Sequence, residues 1–129
     1  MRLKDVMSKN FRTISPNDTA TEAQYQMSQY NSSHLVVIER SEVVGIVSAK
    51  ELENIDGRFL KSRDVRDFMT PNVVTANLEM DVGEAAKLMR GNVASCLPVM
   101  DGNTLVGIVT ISDLLQLLAE DEAKLRSRR

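Results

Sequence analysis

The feature that most constrains this chain is that it repeats itself. Displaced by 62 residues (67 − 5), segment 5–52 aligns with segment 67–114 without a gap, and about 15 of the 48 paired positions are identical. The identities include Asp5/Asp67, Met7/Met69, Thr13/Thr75, Glu22/Glu84, Ala23/Ala85, Met27/Met89, Ser33/Ser95 and Leu35/Leu97, with the run Val44-Gly45-Ile46-Val47 against Val106-Gly107-Ile108-Val109. Polar, glycine and apolar matches in one register mark a tandem duplication. Whatever one copy folds into, the other must fold into as well.

Each copy reads as strand, helix, strand, strand, helix. In the first, Phe11–Ile14 is a short extended entry and Ser15-Pro16-Asn17-Asp18 carries turn chemistry. Thr19-Ala20-Thr21-Glu22 has the form of a capping box, and Ala20, Ala23, Met27 and Tyr30 recur at helical spacing as one inward face. The second copy opens its helix with Asp81-Val82-Gly83-Glu84 and turns Val82, Ala85 and Met89 inward, Gly83 being a mild weakness. The apolar runs Leu35–Ile38 and Leu97–Met100 are each followed by a turn and a second run, Val43–Val47 or Leu105–Val109. Asp101-Gly102-Asn103-Thr104 is the stronger hairpin turn, and Glu39-Arg40-Ser41-Glu42 lacks a glycine. A copy of this size cannot cover its own apolar surface. The expectation is an α/β protein of two β-α-β-β-α repeats packed about a pseudo-two-fold axis, with residues 1–53 as the first repeat, 54–66 as a linker that only connects, 67–118 as the second repeat and 119–129 as a helical tail. After Asp113, Leu114, Leu117, Leu118 and Leu125 continue a helix into that tail, Glu120→Lys124 and Glu122→Arg126 form ion pairs, and Arg128 and Arg129 add to a basic end suited to the dipole. The tail is read as a solvated last turn or as a contact to a partner.

Composition excludes several function classes. Sixteen basic against eighteen acidic residues leave a net charge of −2, which argues against binding nucleic acid by charge. One cysteine, Cys96, and one histidine, His34, allow no internal disulfide and lack the ligand set of a structural zinc site, so no metal is expected. The start carries no apolar signal core and no stretch is long enough to cross a bilayer, which predicts a cytoplasmic protein without membrane attachment. Phosphate-cradling glycine loops and Ser-His-Asp arrangements are absent, and no catalytic residue is assigned. His34 and Cys96 stand at equivalent positions, and a nucleophile pair of them would want a third, orienting group that the sequence does not supply. The recurring Met7, Met27, Met69 and Met89 read as core filler.

The residues with most chemistry are Gly107-Ile108-Val109-Thr110-Ile111-Ser112-Asp113, a strand that ends in a hydroxyl and runs into a helix. Two readings share that geometry. Thr110-x-x-Asp113 caps the helix, or the helix start attracts a phosphate, Thr110 donates to it and Asp113 accepts from a ribose diol.

The doubled unit, with its ending of glycine, two apolar residues, Ser/Thr, two variable residues and Asp, resembles a cystathionine-β-synthase (CBS) domain, and two in tandem resemble a Bateman module. Asp67-Phe68-Met69-Thr70-Pro71 leading into Val73-Val74-Thr75, Glu84-Ala85 and Leu97-Pro98-Val99-Met100-Asp101 support the likeness, which covers roughly residues 3–118. The resemblance implies a stand-alone regulatory module, not an enzyme, in which two clefts mix elements of both copies and take an adenosine-containing ligand: AMP, ADP, ATP or S-adenosylmethionine. No cofactor is required. The preferred cleft joins Thr110, Ser112 and Asp113 to Ile14, Ser15, Ala20, Ser33 and His34, with adenine against Ile14, Ala20 and the backbone at Ser33 and His34, ribose on Asp113 and phosphate near Thr110. The mirror cleft uses Ser48, Lys50 and Glu51 with Ala76, Asn77, Val82, Ser95 and Cys96. It departs from the pattern because Glu51 stands where Asp is expected, and it is expected to be weaker or empty. A homodimer and an effector protein complete the implied picture; the alternative is a structural dimerisation module with vestigial clefts.

Overall fold

The structure, a computed structural model, describes the backbone of residues 1–127 and the side chains of residues 1–120. The expected tail pairs Glu120→Lys124 and Glu122→Arg126, Leu125 and the basic end at Arg128 and Arg129 lie outside the described side chains. The chain divides into two compact units, residues 10–73 and residues 1–9 with 74–129.

In the unit of residues 10–73, β1 (Thr13–Ile14) runs parallel to β2 (His34–Glu39), which forms a hairpin with β3 (Glu42–Ser48). Helix α2 (Ala20–Gln29) lies between β1 and β2 in sequence, and α3 (Ala49–Glu53) follows β3 directly. Thr19 Oγ1 accepts from Glu22 N at 3.2 Å, the cap expected of that sequence. Ala20, Ala23 and Met27 are buried with Leu35, Val37 and Val47. Tyr30 does not join them: the helix stops at Gln29, so Tyr30 leaves the inward register, stays half exposed and holds the Arg12 guanidinium 3.5 Å from its ring centroid.

Residues 54–66 do more than connect. Ala20 N donates to Arg63 O at 2.9 Å and Thr21 N to Leu60 O at 3.2 Å, so this segment satisfies the first amides of α2, which every helix start leaves without an intrahelical partner. Val65, at the head of α4 (Val65–Phe68), is wholly buried in the same core, and β4 (Thr70–Pro71) adds an edge strand to β3. The short η turn Gly57–Phe59 leaves Phe59 half exposed.

The unit of residues 1–9 and 74–129 repeats this plan. Strand β5 (Ala76–Asn77) runs parallel to β6 (Cys96–Asp101), β6 pairs with β7 (Thr104–Thr110), and the helices are α5 (Val82–Gly91) and α6 (Ile111–Ser127). The register break between Val37 and Ile38 recurs between Val99 and Met100, 62 residues on. Its leader is α1 (Leu3–Val6), with Leu3 wholly buried beside Leu97 and Val109. Leu3 and Val65 are equivalent positions in the repeat, and each packs into the unit built mainly from the other copy. The leaders lie close over a glycine: a Cβ on Gly45 would meet Met69 Sδ at 2.6 Å, and one on Gly107 would meet Met7 Sδ at 2.6 Å. Met7 and Met69 pack on the two cores, and Met27 and Met89 lie inside them.

The two sheets differ in one respect. Val36 N donates to Arg12 O at 3.0 Å, whereas its counterpart Pro98 has no N–H to give. Parallel pairing accordingly begins at Thr13↔Val36 in one unit and at Ala76↔Val99, one position later, in the other.

Candidate functional site

Both units place their polar residues where a strand runs without a loop into the last helix. In the unit of residues 1–9 and 74–129, Thr110 N donates to Asp113 Oδ2 at 2.9 Å and Asp113 N returns to Thr110 Oγ1 at 3.2 Å. This is a complete reciprocal cap. It occupies one carboxylate oxygen, and among the described residues no partner faces Asp113 Oδ1. Ile111 N donates to Ser95 O at 3.1 Å, and Cys96 pairs with Thr110 across the ladder, so the strand entry and the helix start are adjacent. Ser112 is exposed at the second position of α6.

The unit of residues 10–73 has the same framework with different chemistry. Ser48 N donates to Glu51 Oε2 at 2.9 Å, Ala49 N donates to Ser33 O at 2.9 Å and His34 pairs with Ser48. Here the second carboxylate oxygen is also engaged: Thr70 Oγ1 donates to Glu51 Oε1 at 2.6 Å. The extra methylene of Glu51 carries its carboxylate to the hydroxyl of the leader. In the other unit the residue equivalent to Thr70 is Ser8, and no hydrogen bond joins its side chain to that of the shorter Asp113 among the described residues. Thr70 is the residue that sequence reasoning missed; the signal was available in the matched hydroxyls Ser8 and Thr70 at the same repeat position.

The remaining expected residues fall as follows. Ile14 is buried at the end of β1 and Ala20 is buried at the start of α2. Ser15 closes the turn before that helix, donating through its N–H to Asp18 Oδ2 at 3.0 Å and accepting from Asn17 N at 3.2 Å on its Oγ. Ser33 Oγ lies 3.0 Å from His34 Nδ1. Lys50 is exposed on α3. On the other unit Ala76 is buried in β5, Asn77 Oδ1 accepts from Glu79 N at 2.8 Å and Val82 opens α5. The structure thus brings Ser33 and His34 next to Ser48, and Ser95 and Cys96 next to Thr110, while each expected cleft draws residues from both units.

Burial, then the negative charge of Asp113, pushes the Cys96 thiol up to about 12. That is the opposite of the activation a nucleophile needs. Among the described residues no group of three His, Cys, Asp or Glu side chains could hold a metal, and no helix is long and apolar enough to cross a membrane.

Residues 3–55 and 65–120 match the model of the CBS domain family. The CBS domain-containing protein YhcV of Bacillus subtilis is 31% identical over 118 residues, covering 87% of this chain and 81% of that protein. The inosine-5'-monophosphate dehydrogenase of Methanocaldococcus jannaschii is 36% identical over 114 residues, but this chain, 87% covered, spans only 22% of that enzyme's length. Among solved structures, the CBS domain pair of protein MJ0100, in complex with 5'-methylthioadenosine and S-adenosyl-L-methionine, superposes with a TM-score of 0.83 at 28% identity, covering 94% of this chain and 98% of that one.

Proposed function

Because this chain belongs to the CBS domain family and carries that domain twice, we propose that it is a cytoplasmic regulatory module that binds an adenosine-containing ligand and passes the occupancy to an effector protein. In this reading Asp113 accepts the ribose hydroxyls, Thr110 and the start of α6 meet the phosphate or the equivalent polar end, and Ile14, Ser15, Ala20, Ser33 and His34 line the adenine. The observation that carries it is the uncommitted Oδ1 of Asp113 beside a helix start, where a diol or an anion is favoured by both hydrogen bonding and the dipole. The neighbour that holds S-adenosylmethionine and methylthioadenosine supports the ligand class.

The mirror cleft is the weaker one. To receive a sugar, Glu51 would have to surrender the Thr70 hydroxyl, and Lys50 offers only a point charge. Ala76, Asn77, Val82, Ser95 and Cys96 on that side add mostly apolar lining. The module also associates with a second copy of itself, and a bound ligand shifts its arrangement only by its difference in affinity for the two states.

Thermal unfolding with AMP, ADP, ATP and S-adenosylmethionine tests the reading. A ligand at 100 times its Kd adds about 2.7 kcal/mol, a rise on the order of 10 °C. Asp113→Asn should remove most of that rise and Glu51→Gln should leave it. Flat melts with all four compounds would leave the association reading, with vestigial clefts, in its place.

A further inference from the structure

The four methionines that recur between the copies fall into two classes. Met27 and Met89 lie inside the cores, 8% and 3% exposed. Met69 and Met7 are half-buried on the leaders, each packed on a core and crossing a glycine of the neighbouring strand. The unit of residues 10–73 holds no methionine besides Met27 and Met69. There the point that a Gly45 Cβ would occupy is 2.6 Å from Met69 Sδ and 3.0 Å from Thr70 O, so the thioether lies directly on the glycine backbone. Arg66, Asp67, Thr70 and Pro71 around it are exposed.

A polarizable sulfur thus stands between solvent and a contact with no spare room. No thiolate competes with it for an oxidant, because Cys96 is buried and keeps its proton up to about 12. Oxidation of Met69 would reach beyond one side chain. A sulfoxide is polar. Its oxygen would meet the Gly45 backbone on one side and the apolar core on the other, and a buried acceptor without a donor is costly. The side chain must leave to be hydrated. The next residue is tied to it: Thr70 pairs with Ile46 and donates its hydroxyl to Glu51 Oε1 at 2.6 Å, so lifting Met69 pulls on both contacts. Strand β4 has only two residues with which to resist.

We propose that Met69 is a site of reversible oxidation by a hydroperoxide, and that its sulfoxide unlatches residues 69–73 from β3 and releases the Glu51 carboxylate from Thr70. A sulfur lone pair attacks one peroxide oxygen, the S–O bond forms as the O–O bond breaks, and the departing oxygen takes over the proton of the transferred one and leaves as water or an alcohol. Sulfur gives up two electrons and the peroxide takes them. A dithiol-dependent sulfoxide reductase reverses the change, oxidising its dithiol to a disulfide and releasing the oxygen as water. Met7 repeats the device over Gly107, with Ser8 in the place of Thr70. The latch needs no ligand in either cleft and stands apart from the function proposed above.

Titrating the 129-residue chain with hydrogen peroxide, with each added oxygen located by peptide mass spectrometry, tests the latch. Met69 should gain its oxygen well before Met27. In the oxidised chain amide exchange across residues 69–73 should quicken about tenfold, as local opening does when a packing contact is lost. Methionine sulfoxide reductase with dithiothreitol should restore the original exchange. Met69→Leu, a swap close in volume, should leave the same amides indifferent to peroxide. A Met69 that resists peroxide as long as Met27 does would overturn the proposal, and so would a sulfoxide that swings out alone and leaves the exchange of 69–73 unchanged. Equal quickening in the Met69→Leu chain would overturn it as well. The first two readings use the native sequence, so they decide the matter whether or not the variant folds.

Discussion

Gly107 lies in β7 directly beneath its leader. A Cβ there would sit 2.6 Å from Met7 Sδ, 2.9 Å from Met7 Cγ and 3.0 Å from Ser8 O, where carbon contacts are best at about 3.5–4.0 Å. The thioether can swing aside. The Ser8 carbonyl cannot, because Ser8 exchanges both backbone hydrogen bonds with Ile108, at 2.9 and 3.0 Å. Gly107→Ala should therefore cost about 1–3 kcal/mol, the usual range for overpacking. Met7→Ala, truncating a half-buried side chain, should cost about 1–2 kcal/mol, below the range for a fully buried methionine. The combination removes two of the three short contacts, so the double variant should be more stable than the sum of the single losses by about 1 kcal/mol. Chemical unfolding of the four proteins closes the cycle, and Gly45 with Met69 offers the same cycle in the other unit. Additive losses, within about 0.5 kcal/mol, would refute the claim that the leader's close approach is what reserves these positions for glycine.

Three further outcomes follow from local geometry. Arg40 and Ser41 both hold positive φ, 52 and 68, in a two-residue hairpin that suits Asn-Gly, so Arg40→Asn with Ser41→Gly should raise stability by about 1–2 kcal/mol in a thermal melt. Val65→Ala should cost about 2–3 kcal/mol because the residue is wholly buried, while Phe59→Ala, half exposed, should cost under about 1 kcal/mol; equal losses would return 54–66 to a mere connector. The native Cys96 thiol keeps its proton up to about 12 against an ordinary value of 9.0, so the unfolded state binds fewer protons between those values. Stability should thus fall as pH rises across that window, by up to about 1.4 kcal/mol per unit, and Cys96→Ala should flatten that part of the profile.

The elements were legible because duplication and apolar spacing are local signals. Ala20, Ala23 and Met27 on one side, and Ala85 and Met89 on the other, fall on the buried faces that their spacing predicts. Tyr30 misled because periodicity does not say where a helix stops, and one residue past the end points elsewhere. The hairpin at Arg40-Ser41 forms without glycine because the pairing of β2 with β3 outweighs the local strain. What the sequence concealed was long-range: that Leu3 and Val65 pack with the opposite copy's strands, and that Leu60 and Arg63 supply backbone partners to the first amides of α2. Polar character made 54–66 look idle, but its carbonyls act, and carbonyls carry no sequence signature.

Capping and ligand binding make different demands on the two oxygens of the Asp113 carboxylate. A carboxylate at the third position of a helix has two oxygens, and the cap consumes one in either unit: Asp113 Oδ2 on Thr110 N, Glu51 Oε2 on Ser48 N. Structural demand is met there, equally, by both copies. The copies diverge in the second oxygen, which one methylene and the Thr70 hydroxyl take out of use in the first copy and which has no hydrogen bond among the described residues in the second. Were capping the whole purpose, Asp and Glu would serve alike, and the cost of losing either cap would be about 1 kcal/mol at both ends of the duplication. A ligand bound as proposed above would, by contrast, depend on Oδ1. Stability without nucleotide and the response to nucleotide therefore separate the two uses of a single side chain, and the Glu51 copy serves as the control in which capping survives and the second use does not.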